Sequence, residues 1–515
     1  MVSKNLFKTT KSVPVANTVN KAGGKAYSLT SKEALANLVV TGCLNGTYYA
    51  SASEQLGEIK KHASNCDPEF VAKLAVYARK NADMKDTPAY LLALLFSSGE
   101  TELVSRIFGQ VIDNMKMLCN FVQIVRSGET GRKSFGTLGK NLINSWLVSR
   151  NAERLFKDNV GHSAPSLTDI IKMTHPRATD DAQNNMFKYI LGKDYDEKLL
   201  PAKVRNFEKF KVGKSKVVPD VDFRLLSNIT LTEAQWKNVA ENMSWTSLRM
   251  NLNNLNKHGV FKGETLTTLA NKLRDEKEVK NSRCFPYQLL TTYKNTNDVP
   301  VAISNALQDA MEVATSNVQS FDCSVAVCVD ISGSMDSPVT GNRGSVTSKT
   351  TCRDVAALVA STVLRRNDDS VVVPFHTSVV PCKLNPRDSI MTNAKILANL
   401  PSGGTSCSSA LVHLNKISHK GELVIFVSDN MSWADYQSSY YSGTAMQKEW
   451  QNYKKRNPKA KLVLIDVQPN STTQVQSDKD VLNVGGWSDE CFNVINNFVR
   501  GESKSFIAEI ERVSI

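Results

Sequence analysis

The sequence lacks the cysteine patterns of a zinc-binding or disulfide-rich protein. Its ten cysteines are scattered, with no Cys-x-x-Cys pair and no Cys/His cluster at zinc-finger spacing. A chain of 515 residues is long enough to bury its own core, so it needs no disulfide framework. We therefore expect free thiols, a reducing compartment and a cytoplasmic location.

Long hydrophobic runs are also missing. No stretch approaches the roughly 18 uncharged apolar residues of a membrane span, and the lysines near the N-terminus precede no apolar segment. We expect neither a membrane partner nor a secretory signal. There is also no Gly-x-x-x-x-Gly-Lys loop and no Ser/His/Asp or Cys/His nucleophile arrangement. These absences favour a binding protein over an enzyme.

Positive charge is abundant and unevenly distributed. The net charge is +13, yet residues 301–515 carry 20 Lys and Arg against 21 Asp and Glu. The whole excess therefore lies in residues 1–300. Such asymmetry indicates a polyanion partner, usually nucleic acid or an anionic membrane surface. The alternative is a solvated basic surface with no partner.

Residues from about 30 to 290 show helix signals and short connections. Thr30 and Ser51 each precede a glutamate by three residues, which is the capping-box pattern, and Asp67-Pro68 and Thr87-Pro88 place a cap residue before a proline. Consecutive antiparallel helices of this kind predict a helical bundle or a HEAT-like solenoid. Lysine-rich residues 193–220 predict a loop or a poorly ordered insertion. Further predicted helices span 101–116, 136–149, 166–174, 232–241, 244–256 and 265–278.

Beyond residue 320 the pattern changes to alternating strands and helices. Four buried apolar runs predict strands of a parallel sheet, at Ser324–Val329, Val371–Phe375, Leu423–Val427 and Leu462–Val467. Helix-like segments separate them, which is typical of a doubly wound α/β domain. The boundary falls within 296–320, and we predict domains over residues 14–318 and 319–515.

Oxygen-bearing side chains follow two of these strands. The first strand leads into Asp330, Ser332 and Ser334, Thr405 lies in a Gly-Gly-Thr loop before a helix, and Asp429 follows a third strand. The carboxyl ends of parallel strands share one edge, so these side chains should meet. Two carboxylates and three hydroxyls suit Mg²⁺ completed by water. Alternatively, the serines cap the following turn and Asp429 caps a helix.

This arrangement resembles a von Willebrand factor A domain with a metal-ion-dependent adhesion site, which implies Asp330, Ser332, Ser334, Thr405 and Asp429 as metal ligands. Ser406 departs from that pattern, because many members have Asp there. The helical half carries Asn20–Tyr27, then Gly42-x-x-x-Gly46-Thr47-Tyr48-Tyr49, and later Arg283–Gln288. These motifs resemble the TROVE module of Ro 60 kDa autoantigen proteins. The resemblance covers about residues 14–500.

The Ro resemblance implies a closed ring of HEAT-like helical repeats, clasped by the A domain. It implies a ribonucleoprotein scaffold, not an enzyme, for RNA quality control. Small structured Y RNA-like molecules would bind a basic surface, and single-stranded 3′ ends of misfolded noncoding RNA would enter a central hole. A nuclease or other protein could join through the RNA or the metal site.

Candidate RNA contacts follow from two matching segments. Gly136–Trp146 resembles a family helix that faces the hole, and Lys140 matches one of its basic positions. Arg132 and Lys133 lie just upstream. Ser166–Arg177 resembles the segment whose histidine lies at the RNA-binding surface, which implies Lys172, His175 and Arg177. The alternative readings are solvated lysines, a structural histidine and a buried Trp146.

Two functions of different classes remain open. The first is the RNA-binding scaffold. The second is a Mg²⁺-dependent adhesion module that grips an acidic side chain of a partner protein, with the helical ring only as a support. A nuclease is disfavoured because two-metal phosphoryl chemistry needs more clustered carboxylates than two.

Overall fold

The computed structural model describes residues 13–42, 44–160, 164–226, 229–284, 286–296, 298–315, 318, 320–367, 369–435, 442–486 and 490–515. They form two compact units. One comprises the residues up to Asn65 together with Thr315–Glu509, and the other comprises Cys66–Ala314 with the chain end from Ile510. The predicted division at residue 318 follows secondary structure, whereas packing groups the first 65 residues with the later sheet. In these ranges, no helix is both long and apolar enough to cross a bilayer.

The N-terminal segment supplies β1 (Thr18–Val19), β2 (Lys25–Ser28), α1 (Ser31–Thr41) and α2 (Ala52–Ser64). Both predicted capping boxes are confirmed, because Thr30 and Ser51 accept hydrogen bonds from Glu33 and Glu54. Gly24 precedes β2 in close contact with the sheet unit, since a Cβ there would lie 1.9 Å from the carbonyl oxygen of Ser432. Only glycine fits that approach.

The second unit is helical. The helix Pro68–Lys80 contacts the next two helices along the chain, and Asp86–Ser98 does the same, as stacked α-hairpins do. Its helices are α3 (Pro68–Lys80), α4 (Asp86–Ser98), α5 (Thr101–Val111), α6 (Met115–Ser127), α7 (Gly136–Val148), α8 (Ala152–Asp158), α9 (Leu167–Thr174), α10 (Asp181–Ile190), α11 (Ala202–Lys211), α12 (Phe223–Leu226), α13 (Glu233–Asn242), α14 (Trp245–Met250), α15 (Leu252–Lys257), α16 (Gly263–Arg274), α17 (Glu276–Ser282), α18 (Pro286–Asn295) and α19 (Val301–Thr315).

Several predicted helix boundaries were wrong for local reasons. The predicted helix 101–116 ends early, because Asn114 caps α6 by accepting a bond from Met117. The predicted helix 265–278 is interrupted at Asp275, whose side chain caps α17. Thr87 is no cap: α4 begins at Asp86, and Thr87 is buried within its first turn. In the first two cases a short polar side chain caps the backbone donors of a new helix, whereas Lys85, the N-cap of α4, makes no side-chain cap hydrogen bond.

The predicted loop over residues 193–220 was also wrong in part. It contains the ten-residue helix α11, which buries Val204, Phe207 and Phe210 on one face. These three residues recur at helical spacing. Lys203, Lys209 and Lys211 are among its exposed residues. Pro201 lies at the N-terminal cap, where proline is compatible with a helix.

The other unit is built on a five-stranded sheet. All four predicted strands are confirmed. The order across the sheet is Val371–Phe375, Val325–Asp330, Leu423–Ser428, Lys461–Asp466 and Val481–Gly485, with every pairing parallel. Its remaining elements are β3 (Val325–Asp330), α20 (Cys352–Arg366), β4 (Val371–Phe375), α21 (Ile390–Ala398), α22 (Ser408–Lys416), β5 (Leu423–Ser428), α23 (Ala445–Arg456), β6 (Lys461–Asp466), β7 (Thr472–Thr473), β8 (Val481–Gly485), α24 (Glu490–Arg500) and α25 (Phe506–Glu511).

Helices cover both faces of this sheet, as a continuous apolar strand requires. On one face, Ala326 and Cys328 of β3 pack in a buried cluster with Leu411 of α22 and Trp450 of α23. On the other face α20 contacts β3, β4 and β5, and α24 contacts β6 and β8. The architecture is therefore the predicted doubly wound α/β domain, preceded by a helical region.

Candidate functional site

The predicted metal ligands lie where the strand order reverses. β3 has β4 on one side and β5 on the other, so a crevice opens at the carboxyl ends of β3 and β5. Asp330 ends β3, and Asp429 directly follows β5. The loop before α22 reaches the same edge, because the amide of Gly333 donates to Gly403 O at 3.0 Å. The amide of Trp433 donates to Thr405 O at 3.1 Å, which joins that loop to the one after β5.

The ligand candidates are connected by short hydrogen bonds. Asp330 accepts from the amide of Ser332 at 2.8 Å and from the hydroxyl of Ser428 at 2.6 Å. The hydroxyls of Ser332 and Ser334 lie 3.3 Å apart. Ser332 precedes a 3-10 turn, Gly333–Asp336, without capping it through its side chain. The turn-capping alternative for this serine was therefore wrong.

Asp429 has one carboxylate oxygen without a protein partner. Its Oδ1 accepts from the amide of Met431 at 3.1 Å, whereas its Oδ2 is buried with no hydrogen bond in the described structure. No helix begins in residues 430–435, so Asp429 caps none there. A buried polar atom without a partner is costly, which calls for a donor or a cation at this point.

Burial dominates the electrostatics of the site. Asp330 and Asp429 are both fully buried. Burial raises the pKa of Asp429 to about 7, and the negative charge of Asp330 adds to it. Burial also raises the pKa of Asp330, against the opposing effect of its serine hydrogen bonds. Two buried carboxylates side by side disfavour ionisation unless a cation compensates them. The site therefore fits a hard divalent ion.

The donor set argues against a softer metal. Within the described ranges, no group of three or more His, Cys, Asp or Glu side chains is placed to hold one. The candidate site offers two carboxylates and the hydroxyls of Ser332, Ser334 and Thr405 instead. Thr405 is 1% exposed, and such all-oxygen sets suit Mg²⁺.

A carboxylate that the sequence analysis missed stands beside Ser406. Asp435 Oδ1 accepts from the hydroxyls of Ser406 at 2.7 Å and Ser408 at 2.8 Å. Its Oδ2 accepts from the hydroxyl of Ser432 at 2.8 Å. Asp435 thus brings a negative charge next to the position where many A domains have Asp. The serines at 406 and 408 gave no signal, because the partner lies almost thirty residues later.

Tyr49 is a second residue that the sequence analysis did not place at this edge. Its hydroxyl hydrogen-bonds the side chain of Ser334. Burial raises the pKa of Tyr49 well above its ordinary value, and the charge of Asp429 raises it further. The phenol therefore stays protonated beside the two carboxylates.

Two of the six predicted RNA-contact residues, Lys133 and Lys140, come together on the helical unit near α6, α7 and α9. A groove of about 730 Å³ opens there. Arg126, Lys133 and Lys140 line it, and no Asp or Glu is among its described lining residues. The lining also includes Phe135, Thr137, Asn141, Asn144, Met173 and Thr174. Asn144 donates to Thr174 O at 3.0 Å, which joins α7 to the end of α9.

Five of the six predicted residues are exposed, namely Lys133, Lys140, Lys172, His175 and Arg177. His175 ends α9 in the left-handed conformation, and its amide donates to Ile171 O. Arg132 is only half-exposed. Its guanidinium lies 4.5 Å from the Phe96 ring centroid and donates to Ser134 O at 3.0 Å. Arg132 is therefore the least available of the six.

Arg126 and Trp146 differ sharply in exposure. Arg126 is exposed in the groove and was not predicted, although it lies in the last turn of α6. Trp146 is 7% exposed and donates from Nε1 to Ile112 O at 2.6 Å. The reading of Trp146 as a core residue is confirmed.

Comparison with known proteins agrees with these two parts. The Ro60 vWA domain family matches residues 324–499, and the TROVE domain family matches residues 166–349. The curated "RNA-binding protein RO60" of Deinococcus radiodurans is 22% identical over 520 residues, with 94% of this chain and 95% of the relative covered. The crystal structure of the Deinococcus radiodurans RO (RSR) protein aligns with a TM-score of 0.61 at 18% identity, and 92% of this chain and 100% of that chain are covered. The chain therefore contains a TROVE region and a Ro60-type vWA region, and it is similar to Ro proteins along nearly its whole length.

Proposed function

We propose that this protein is an RNA-binding scaffold of a ribonucleoprotein. The observation that carries the proposal is the groove of Arg126, Lys133 and Lys140, which no described acidic side chain lines. Lys172 in α9, and His175 and Arg177 just after it, are also exposed. A relative named as an RNA-binding protein, similar along almost its whole length, supports the same function.

The chemistry of the groove suits phosphate contacts. Exposed Arg and Lys neutralise phosphates and release condensed counterions, so affinity should fall steeply with salt. Phe135 and the amide side chains of Asn141 and Asn144 lie in the same groove. Amide side chains can read exposed base edges in single-stranded segments. We propose structured small noncoding RNA, Y RNA-like in character, and the single-stranded 3′ ends of misfolded RNA as its ligands.

The same proposal makes the protein a binder in RNA quality control and not a catalyst. We propose that it works in the cytoplasm and that a nuclease or another protein can join through the RNA. The ionisable groups among the described lining residues of the groove are Arg126, Lys133 and Lys140, without the paired carboxylates that phosphoryl transfer needs.

We also propose a Mg²⁺ site at Asp330, Ser332, Ser334, Thr405 and Asp429. The unpartnered Oδ2 of Asp429 and the two buried carboxylates support it. Bound Mg²⁺ would supply positive charge that offsets the repulsion between these carboxylates. Ser428 and the amide of Ser332 hold Asp330 in place, and the amide of Met431 holds Asp429.

Fluorescence anisotropy with a labelled RNA hairpin that has a single-stranded 3′ tail tests the RNA proposal. We expect binding at 50 mM salt that weakens at least about tenfold by 200 mM. The double variant Lys133→Glu, Lys140→Glu should bind at least about tenfold more weakly at fixed salt. The matched control, Lys257→Glu with Lys277→Glu, changes the same charge on exposed lysines of α15 and α17. Equal loss in both double variants, or no binding at low salt, would contradict the proposal.

A further inference from the structure

The tyrosine motif near the N-terminus lies against the candidate metal site. Residues 44–50 follow α1 and pack on the loop that continues from the ligand segment. Asn45 donates from its side chain to Thr340 O at 2.9 Å, and the amide of Asn342 donates to Gly46 O at 2.8 Å. Gly341 lies between these contacts, and a Cβ there would come within 2.9 Å of Asn45 and Gly46. The two segments are therefore in close backbone contact.

Local hydrogen bonds give residues 44–50 a defined shape. The side chain of Gln55 in α2 donates to Asn45 O at 2.7 Å. The amide of Thr47 donates to Ala50 O at 2.8 Å, which closes a turn. This turn presents the two tyrosines differently: Tyr48 is 62% exposed, whereas Tyr49 is half-buried. Only the second of two adjacent tyrosines is directed to the site.

The Tyr49 hydroxyl lies next to Ser334, which is one of the proposed metal ligands. It interacts with the Ser334 side chain, and the negative charges of Asp429 and Asp330 raise its pKa. An adhesion-type metal site must leave room for the carboxylate of a partner. Here, however, Ser334 is 4% exposed, Asp330 and Asp429 are fully buried, and Asp429 Oδ2 is the one carboxylate oxygen of the pair without a partner. The chain's own phenol thus lies beside the ligand set that the carboxylate of a partner would have to reach.

We propose that Tyr49 is an internal cover of the metal site, so that the bound cation fastens residues 44–50 to the sheet unit instead of capturing an acidic partner protein. This inference rests on the proposed Mg²⁺ site. It assigns a role to the Gly46-Thr47-Tyr48-Tyr49 motif. The bound cation would hold residues 44–50 against the ligand segment of the same chain, an arrangement that we call the clasp. It thereby decides between the metal-dependent adhesion module and a structural use of the same ligands.

Amide hydrogen exchange of the full-length protein, with Mg²⁺ and with EDTA, tests the clasp. In the wild type, Mg²⁺ should slow exchange of the amides in residues 44–50 at least about tenfold, equivalent to about 1.4 kcal/mol. Tyr49→Phe removes only the hydroxyl and should lose most of that protection. Tyr48→Phe, the matched control on the exposed neighbour, should keep it. Asp429→Asn, which removes a proposed ligand charge, should abolish it.

A carboxylate probe tests the covering role directly. A fluorescein-labelled peptide with a single glutamate should show no Mg²⁺-dependent binding to the wild type or to Tyr48→Ala. Tyr49→Ala should gain binding that EDTA reverses. Circular dichroism would establish that each variant folds, and Tyr49→Phe provides the exchange result even if Tyr49→Ala does not fold.

The failures of the two proposals are distinguishable. Terbium luminescence, titrated against Mg²⁺, reports metal binding independently of Tyr49. If the wild type and Asp429→Asn bind terbium equally weakly, the metal site itself is wrong. If terbium binds and Asp429→Asn abolishes its binding, yet Tyr49→Phe and Tyr48→Phe show equal protection, the clasp is wrong. Wild-type capture of the glutamate peptide would also overturn it and favour the adhesion module.

Discussion

The side-chain amide of Asn37, in α1, donates a hydrogen bond to the buried carboxylate of Asp466 at the end of β6. Asn430 donates to the other oxygen of the same carboxylate. Burial raises the pKa of Asp466 to about 8 despite these bonds. The contact joins the N-terminal helix to the sheet next to the candidate metal site, and it shows why the first residues of the chain pack with that unit.

Replacing Asn37 should destabilise the sheet unit. Asn37→Ala leaves Asp466 Oδ2 buried without this donor, a loss of about 1–3 kcal/mol in the free energy of unfolding. Urea unfolding followed by tryptophan fluorescence measures it. Asn493→Ala, on an exposed position of α24, is the control and should change stability by less than about 0.5 kcal/mol. Equal effects of the two changes would refute a specific role for the Asn37 contact.

The stability of the sheet unit should fall below neutral pH partly because of His419. The amide of Gly421 donates to its Nδ1 at 3.1 Å, and this bond requires an unprotonated nitrogen. Burial lowers the pKa of His419, and the charge of Arg456 lowers it further. The unfolded state therefore takes up a proton at a higher pH than the folded state. Stability from this group is complete above about pH 6.5 and declines as the pH falls towards the lowered folded pKa.

Urea unfolding of His419→Gln at several pH values between 5 and 8 checks this prediction. The variant should show a shallower loss of stability towards pH 5 than the wild type does. His413→Gln, in the preceding helix α22, is the matched control and should keep the wild-type slope. An unchanged slope in His419→Gln would show that other groups cause the pH dependence.

Trp146 and Lys140 lie on the same helix, but replacing Trp146 should change mainly the stability of the protein, and replacing Lys140 should change mainly its RNA affinity. Trp146→Ala removes a buried ring and should lower the free energy of unfolding of the helical unit by about 3–5 kcal/mol. RNA affinity of the protein that remains folded should not change. Lys140→Glu should weaken RNA binding with a stability change below about 0.5 kcal/mol. Thermal unfolding and anisotropy measured on both variants would reveal any departure from this reciprocal pattern.

Arg126 lines the groove, although the sequence did not predict it as an RNA contact. Arg126→Ala should weaken RNA binding at all sequences alike and reduce the slope of log affinity against log salt by about 1. Arg126 makes one described polar contact, from its guanidinium to Met173 Sδ at 3.3 Å, so stability should hardly change. An unaltered salt slope would remove Arg126 from the phosphate-binding set.

Local patterns predicted the elements well where one residue type determines the outcome. Thr30 and Ser51 begin helices because their hydroxyls accept from the backbone three residues later. The interiors of strands β3 to β6 are apolar, because helices cover both faces of the sheet. β8 was missing from the prediction, because Asn483 and Gly485 interrupt its apolar pattern. Its parallel pairing with β6 is a tertiary contact that the local sequence does not indicate. The predicted helix 244–256 is divided at Asn251, which ends α14 and precedes α15.

The candidate site could be predicted only for residues in recognisable motifs. Asp330, Ser332 and Ser334 follow one strand in close succession, and Thr405 and Asp429 occupy matching loop positions. Asp435 and Tyr49 reach this edge through tertiary packing, from sequence positions whose local pattern indicates nothing of it. The basic groove shows the same division, because α6 brings Arg126 against α9 only in the folded unit.

Photocrosslinking tests the central claim, that the surface around α6, α7 and α9 holds RNA. A 4-thiouridine-labelled RNA hairpin with a single-stranded 3′ tail is irradiated with the full-length protein, and crosslinked peptides are identified by mass spectrometry. The account predicts crosslinks concentrated in peptides covering residues 126–144 and 172–177, which disappear at high salt. Crosslinks confined to other parts of the chain, with these peptides unmodified, would contradict it.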